Sequence, residues 1–157
     1  MAKPKIIIAD DEPHVLEAIR RNLEPLAEDW DIRFAANGHE VLAAMAEGPA
    51  DVVVTDIAMP GLDGKALIVQ LYHRFPNTVP VVLSGHWVPA LASRELGPHV
   101  RFLAKPASTE VLVWAIRGAL REVVLTATPH EWSERPPQSA DLPAMQGTTC
   151  WVNATTR

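Results

Sequence analysis

This chain of 157 residues has a single cysteine, Cys150. One thiol cannot build an internal disulfide framework, so a reducing cytosol is the expected setting. Long apolar runs are missing too. The longest, such as Ile6-Ile7-Ile8 and Val52-Val53-Val54, fall far short of the ~20 residues that cross a bilayer. The opening MAKPK leads straight into a strand-like segment, so no secretion signal is expected and the sequon at Asn153 should carry no glycan. Basic residues form no cluster. With 14 Lys and Arg against 19 Asp and Glu, the formal charge is −5, which argues against nucleic acid as a partner. The histidines, at 14, 39, 73, 86, 99 and 130, show none of the spacings that ligate zinc. A cytoplasmic protein without membrane attachment is the expectation.

What the chain does have is alternation. Segments rich in apolar residues over 5–9, 32–36, 51–55, 79–83 and 100–104 read as strands. Between them, 12–26 carries helical spacing at Val15, Leu16, Ile19 and Leu23. Asn37-Gly38 starts a helix with Val41, Leu42 and Met45 on one face, and 64–75 is a third helix stopped by Pro76. A short fourth helix is expected over 88–96, ended by Gly97-Pro98. Ser108 can cap a last helix to about Leu125, with Leu112, Ile116, Ala119 and Leu120 inward. Strands that are apolar throughout, set between amphipathic helices, indicate a parallel sheet covered on both faces. Right-handed crossovers make a doubly wound α/β fold the leading topology.

At the ends of these strands stand Asp10-Asp11, Asp56, Ser84 and Lys105-Pro106. In such a fold the carboxyl ends of the strands share one edge, where ligands bind. Three carboxylates, a hydroxyl and an ammonium would converge there. Crowded carboxylates take up protons or recruit a cation. With no Cys or His in these segments, a hard cation with oxygen ligands is favoured, and magnesium suits a few carboxylates together with water and phosphate oxygens. A carboxylate beside it can accept a phosphoryl group as a nucleophile. The lysine supplies positive charge to that group and the serine a hydrogen bond, and positioning with charge neutralisation is most of what phosphoryl transfer needs. Asp56, ending the most apolar strand and followed by IAMPGLDG, is the expected nucleophile.

Through ADDE at 9–12, DIAMPGLDG at 56–64, LSG at 83–85 and LAKP at 103–106, the chain resembles the receiver domain of two-component response regulators, from about Lys5 to about Val124. The resemblance implies the sheet order 2-1-3-4-5. It implies Asp56 as phosphoacceptor, Asp10, Asp11 and Asp56 with the backbone carbonyl of Ala58 as the Mg2+ site, and Lys105 as the phosphate-binding lysine before a cis proline. Ser84 is similar to the family's switch hydroxyl and Phe102 to its switch aromatic, although a buried core aromatic is the competing reading of Phe102. EDWDIRFAANG, SGH and GPHVRFLAKP resemble, more narrowly, receivers found ahead of HD-related output domains; such a domain is not expected within these residues. Implied partners are a sensor histidine kinase or histidine phosphotransfer protein, a downstream protein target, and a second copy through the face of the fourth helix, fifth strand and last helix.

Two departures from the commoner pattern bear on chemistry. Ala58 has no polar side chain to orient an attacking water, and His86 places a bulky ring near the same face. Slow self-dephosphorylation is expected. Ala107, where phenylalanine is common, is expected to loosen the loop before the last helix. His14 and Asp63 read as a surface residue and a helix-start residue. Trp114 lies opposite the inward positions of its helix, as a contact surface or as a residue packed under the tail.

Residues 1–126 therefore read as the receiver and 127–157, rich in Pro, Ser and Thr, as a flexible tail, unless Trp132 and Trp151 anchor it. The expected function is that of a single-domain response regulator, a phosphoacceptor and not an enzyme acting on small substrates. A phosphorylation-independent pseudo-receiver is the alternative. A phosphohydrolase would need a substrate cap that no segment supplies.

Overall fold

The structure is a computed structural model and describes residues 2–85, 96 and 100–126. The expected fourth helix over 88–96, except Leu96, and the expected tail over 127–157 lie outside the described residues.

Five strands form one parallel sheet: β1 (Lys5–Ala9), β2 (Asp31–Ala35), β3 (Val52–Thr55), β4 (Val79–Ser84) and β5 (Arg101–Ala104). Their order is β2-β1-β3-β4-β5, the doubly wound order. Around it lie α1 (Pro13–Leu23), α2 (Gly38–Glu47), α3 (Gly64–Arg74) and α4 (Thr109–Thr126).

The continuous apolar strands are explained by the pleat, which sends successive side chains to opposite faces. Ile6, Ile8, Val52, Val54, Val81, Leu83 and Leu103 point one way, against Leu23 of α1 and Leu112, Ile116 and Ala119 of α4. Ile7, Ala9 and Val53 point the other way, against Val41 and Met45 of α2 and Leu67 and Leu71 of α3. Val82 and Phe102 share that second face with Ile68, Leu96 and Val100. Both faces are thus dry, and no described helix is long and apolar enough to cross a membrane.

Element ends follow local chemistry. The α-helical hydrogen bonds of α1 stop at Leu23, three residues short of the expected end, and a 3-10 turn over Glu24–Leu26 takes over. Pro25 has no N–H to continue the ladder. β2 ends at Ala35 because the Ala36 N–H turns to Glu40 Oε2 at 2.7 Å. Asn37 caps α2, its Oδ1 accepting from the Glu40 N–H at 2.9 Å. Asp63 caps α3 by accepting from the Ala66 N–H, also at 2.9 Å. The Val111 N–H donates to Ser108 Oγ at 3.3 Å at the start of α4. On the edge strand, Arg101 forms a two-pronged pair with Glu122 of α4, Nε to Oε2 at 3.1 Å and Nη2 to Oε1 at 3.0 Å.

Candidate functional site

The site is set by register. Ala9 lies opposite Thr55, and Thr55 opposite Val82. The next residue on each of the first two strands is an aspartate, so Asp10 and Asp56 leave the sheet side by side. Their backbones are held as ladder extensions: the Asp10 N–H donates to the Ala35 carbonyl and the Asp56 N–H to the Ala9 carbonyl, both at 3.2 Å. On the next strand, β4, Ser84 pairs with Ala104 of β5, and the Ser84 carbonyl accepts from the Lys105 N–H at 3.1 Å. The Lys105-Pro106 peptide is cis, as the resemblance implies.

Asp10 and Asp56 are buried, 2% and 8% exposed, while Asp11 is exposed. A buried carboxylate needs a partner. Lys105 serves both: its Nζ donates to Asp10 Oδ2 at 2.5 Å and to Asp56 Oδ2 at 2.8 Å. The other oxygens take backbone donors. The Glu12 N–H reaches Asp10 Oδ1 at 3.0 Å, and the Ala58 N–H reaches Asp56 Oδ1 at 3.1 Å. Burial by itself pulls the Lys105 ammonium down, but the hydrogen bonds and negative charges of Asp10 and Asp56 outweigh it, and its pKa stands above the ordinary lysine value.

One carboxylate oxygen each from Asp10, Asp11 and Asp56 lies within 4.8 Å of the other two. Three carboxylates face one ammonium, so the site carries surplus negative charge. All its donors are oxygens, and its one exposed member opens to solvent. That donor set fits magnesium, which takes a few carboxylates and keeps its remaining positions for water or phosphate oxygens.

Asp10, Asp11, Asp56 and Lys105 thus come together as the sequence suggests. Ser84 is half-buried at the end of β4, beside Lys105 along the ladder. Phe102 is placed differently from a ring waiting to turn inward: it is already inside, 6% exposed, among Ile57, Ile68, Val82, Leu96 and Val100. Its strand pairs with β4, and the inward alternation of β5 leaves it no outer position. His14 is a surface residue, with its Nε2 3.1 Å from Glu12 Oε2. Trp114 is half-buried. Ala107 packs against the core. His86 lies outside the described residues.

Two further residues touch the Asp56 backbone, and the sequence does not single out either. The Thr55 hydroxyl, fully buried, donates to the Asp56 carbonyl at 2.9 Å. Gly64 lies against the same carbonyl, where an added Cβ would come within 3 Å. The Asp-Gly pair ahead of an apolar helix was the available signal for the second; a threonine in an all-apolar strand gives none.

Comparison with known proteins agrees with this geometry. The family described as the response regulator receiver domain matches residues 6–117. The chain is 30% identical over 127 residues to the C4-dicarboxylate transport transcriptional regulatory protein DctD of Pseudomonas aeruginosa, covering 79% of this chain and 27% of that protein. It is 32% identical over 131 residues to the transcriptional regulatory protein PrrA of Mycobacterium tuberculosis, covering 82% and 54%. The chain spans from about a quarter to about half of the length of these curated relatives. Among solved structures, the signal receiver domain of an HD domain-containing protein from Pseudomonas fluorescens Pf-5 superposes with a TM-score of 0.72 at 26% identity, covering 81% of this chain and 93% of that one. A response regulator receiver domain protein from Clostridium thermocellum gives 0.68 at 29% identity, covering 78% and 98%. Fold and site define a doubly wound receiver with an acidic, lysine-bridged pocket. The chain belongs to the response regulator receiver domain family of two-component systems.

Proposed function

We propose that the chain is a phosphorylation switch in which Asp56 accepts a phosphoryl group from a phosphohistidine on a sensor histidine kinase or histidine phosphotransfer protein. The observation that carries this reading is the Lys105 ammonium bridging Asp10 and Asp56 beside an exposed third carboxylate. An Asp56 carboxylate oxygen attacks phosphorus, the P–N bond breaks, and the electron pair leaves with the imidazole nitrogen, which takes up a proton. Asp10, Asp11 and Asp56, with the Ala58 carbonyl, would hold magnesium, whose charge neutralises the oxygens of the transferred group. Lys105 turns its donors from Asp10 and Asp56 to those oxygens, and Ser84 donates its hydroxyl.

A new dianion at the end of β3 is a local charge change that biases a two-state element. Ser84 at the end of β4 and Lys105 just past β5 respond first, and Phe102 on β5 carries the change to the outer face of β5 and α4, where a protein partner or a second copy reads it. The chain assists its own phosphorylation and slow dephosphorylation but turns over no small substrate. In this reading 1–126 is the receiver, 127–157 an extension, and the setting is cytoplasmic.

Intact-mass analysis after incubation with magnesium and acetyl phosphate tests the proposal. One phosphoryl mass is expected on wild type and none on Asp56→Asn. A folded, magnesium-binding wild type that gains nothing from acetyl phosphate or from phosphohistidine donors would turn the reading to a phosphorylation-independent interaction module.

A further inference from the structure

We infer that Gly64 is a positioning residue for the acidic site: its lack of a side chain lets the start of α3 rest directly on the Asp56–Ile57 backbone and so fixes where the Asp56 carboxylate and the Ala58 peptide stand. The inference rests on the proposed reading of Asp10, Asp11 and Asp56 as a metal-assisted acceptor site.

The demand at Gly64 is for space, not for an unusual backbone. The positive-φ glycine of this loop is Gly61, at 79°. A Cβ on Gly64 would stand 2.3 Å from the Asp56 carbonyl oxygen, 2.7 Å from Ile57 Cα and 3.0 Å from the Asp56 carbonyl carbon. All three are backbone atoms, so no flexible side chain can yield. The elements on either side are held firmly. Leu67, Ile68 and Leu71 of α3 are 0%, 0% and 1% exposed, and β3 is laddered to β1 on one side and β4 on the other.

The segment between them is the part able to move. It carries the Asp56 carboxylate, the Ala58 N–H that donates to its Oδ1, and the Asp56 carbonyl that accepts from Thr55. The Gly64 N–H closes the loop by donating to the Ile57 carbonyl at 3.0 Å. An added methyl at Gly64 therefore displaces the expected metal-facing groups and leaves the framework in place. Magnesium tolerates little distortion of its ligands, and groups that orient metal ligands without touching the metal commonly matter to affinity.

Gly38 supplies the control. A Cβ there would stand 2.6 Å from the Leu62 carbonyl oxygen, also backbone, but at the far end of the loop and under α2. Wild type, Gly64→Ala and Gly38→Ala would be compared by thermal unfolding, by amide spectra of the metal-free proteins, and by calorimetric titration with magnesium alone. Both variants should lose stability. Gly64→Ala alone should shift the amides of residues 56–58 and weaken magnesium binding by about tenfold or more, the scale seen when ligand-orienting groups are altered.

Unshifted amides at 56–58, or magnesium affinity lost equally in Gly38→Ala, would overturn the inference. So would a Gly64→Ala protein that fails to fold, since the displacement would then have broken the α3–β3 packing. A wild type that binds no magnesium would sink the functional reading instead, and the metal-free amide comparison would still decide the role of Gly64.

Discussion

Lys105 and Asp10 lie 95 positions apart in the chain, yet the ammonium of one donates to the carboxylate of the other at 2.5 Å. The same ammonium reaches Asp56 at 2.8 Å, so one cation just past the edge strand neutralises two buried anions just past the middle strands. This bridge occupies the oxygens that the proposed chemistry needs. Lys105 is therefore both the partner of the carboxylates at rest and the group that must leave them.

Removing the lysine should separate metal binding from phosphoryl uptake. In Lys105→Met the carboxylates lose their competing cation. Repulsion between two like unit charges about 4 Å apart spans ~1 to ~4 kcal/mol between bulk water and a protein surface. Magnesium affinity by calorimetry is expected to rise at least about fivefold, while acetyl phosphate labelling at Asp56 falls. Weaker magnesium binding in the variant would show that the bridge organises the site more than it competes for it.

Ala58 is exposed two residues past Asp56 and brings no polar side chain to the proposed phosphoryl group. An amide there could orient a water for attack, a kind of assistance worth about 100-fold or more when a proton or water is well placed. Ala58→Asn is expected to lose its phosphoryl group faster than wild type, followed by intact mass after removal of the donor. An unchanged half-life would mean that water access is limited elsewhere.

The Tyr72 hydroxyl is buried and has no hydrogen-bond partner among the described residues. Burial first, and then the negative charge of Glu122, push its pKa up to about 12 from 10.0. Between those values the unfolded chain gives up its proton before the folded one does, so stability falls as pH rises from 10 to 12. Lys105 acts in the same direction: its raised pKa gives stability that is complete below the ordinary lysine range and lost as pH climbs through the folded value. Tyr72→Phe should leave the lysine part of the decline and flatten the rest. At neutral pH it should raise the melting temperature, by up to ~1 kcal/mol in stability, because a buried hydroxyl without a partner is costly. A lower melting temperature would reveal a hydrogen bond to the hydroxyl.

Phe102 is enclosed by Ile57, Ile68, Val82, Leu96 and Val100. Truncation of such a ring costs ~3–5 kcal/mol through lost contacts and the cavity left behind. Phe102→Ala is expected to show that loss in chemical denaturation, while Phe102→Leu recovers most of it. A loss under 1 kcal/mol would mean that the ring spends much of its time outside the core.

Much of the fold could be read from the chain because its strands are apolar on both faces. In β1, β3 and β5 the first charged residue after the apolar run stands just past the end of the strand, and Asp10, Asp56 and Lys105 are those residues. Strand order was a different matter. Periodicity reports which face a side chain takes, not which strand lies beside it, so the order came from family likeness and then from the ladders. The first helix ends three residues before its apolar spacing does, because that spacing continues through Leu26 while Pro25 has already broken the α-helical hydrogen bonding. The inward Phe102 was not decidable from sequence, since both faces of β5 meet apolar layers. The contact of Gly64 with the Asp56 carbonyl was hidden for a simpler reason. A glycine that makes room for backbone leaves no pattern in the residues around it.

The sheet order has one more consequence. β3, which carries Asp56, can shift only if two ladders give way, to β1 and to β4. β5, which leads into Lys105, is bound by one ladder and by the Arg101–Glu122 pair to α4. Under the proposed switch, a pull between these two residues would fall unequally: the inner strand, held on both sides, would yield less than the outer one.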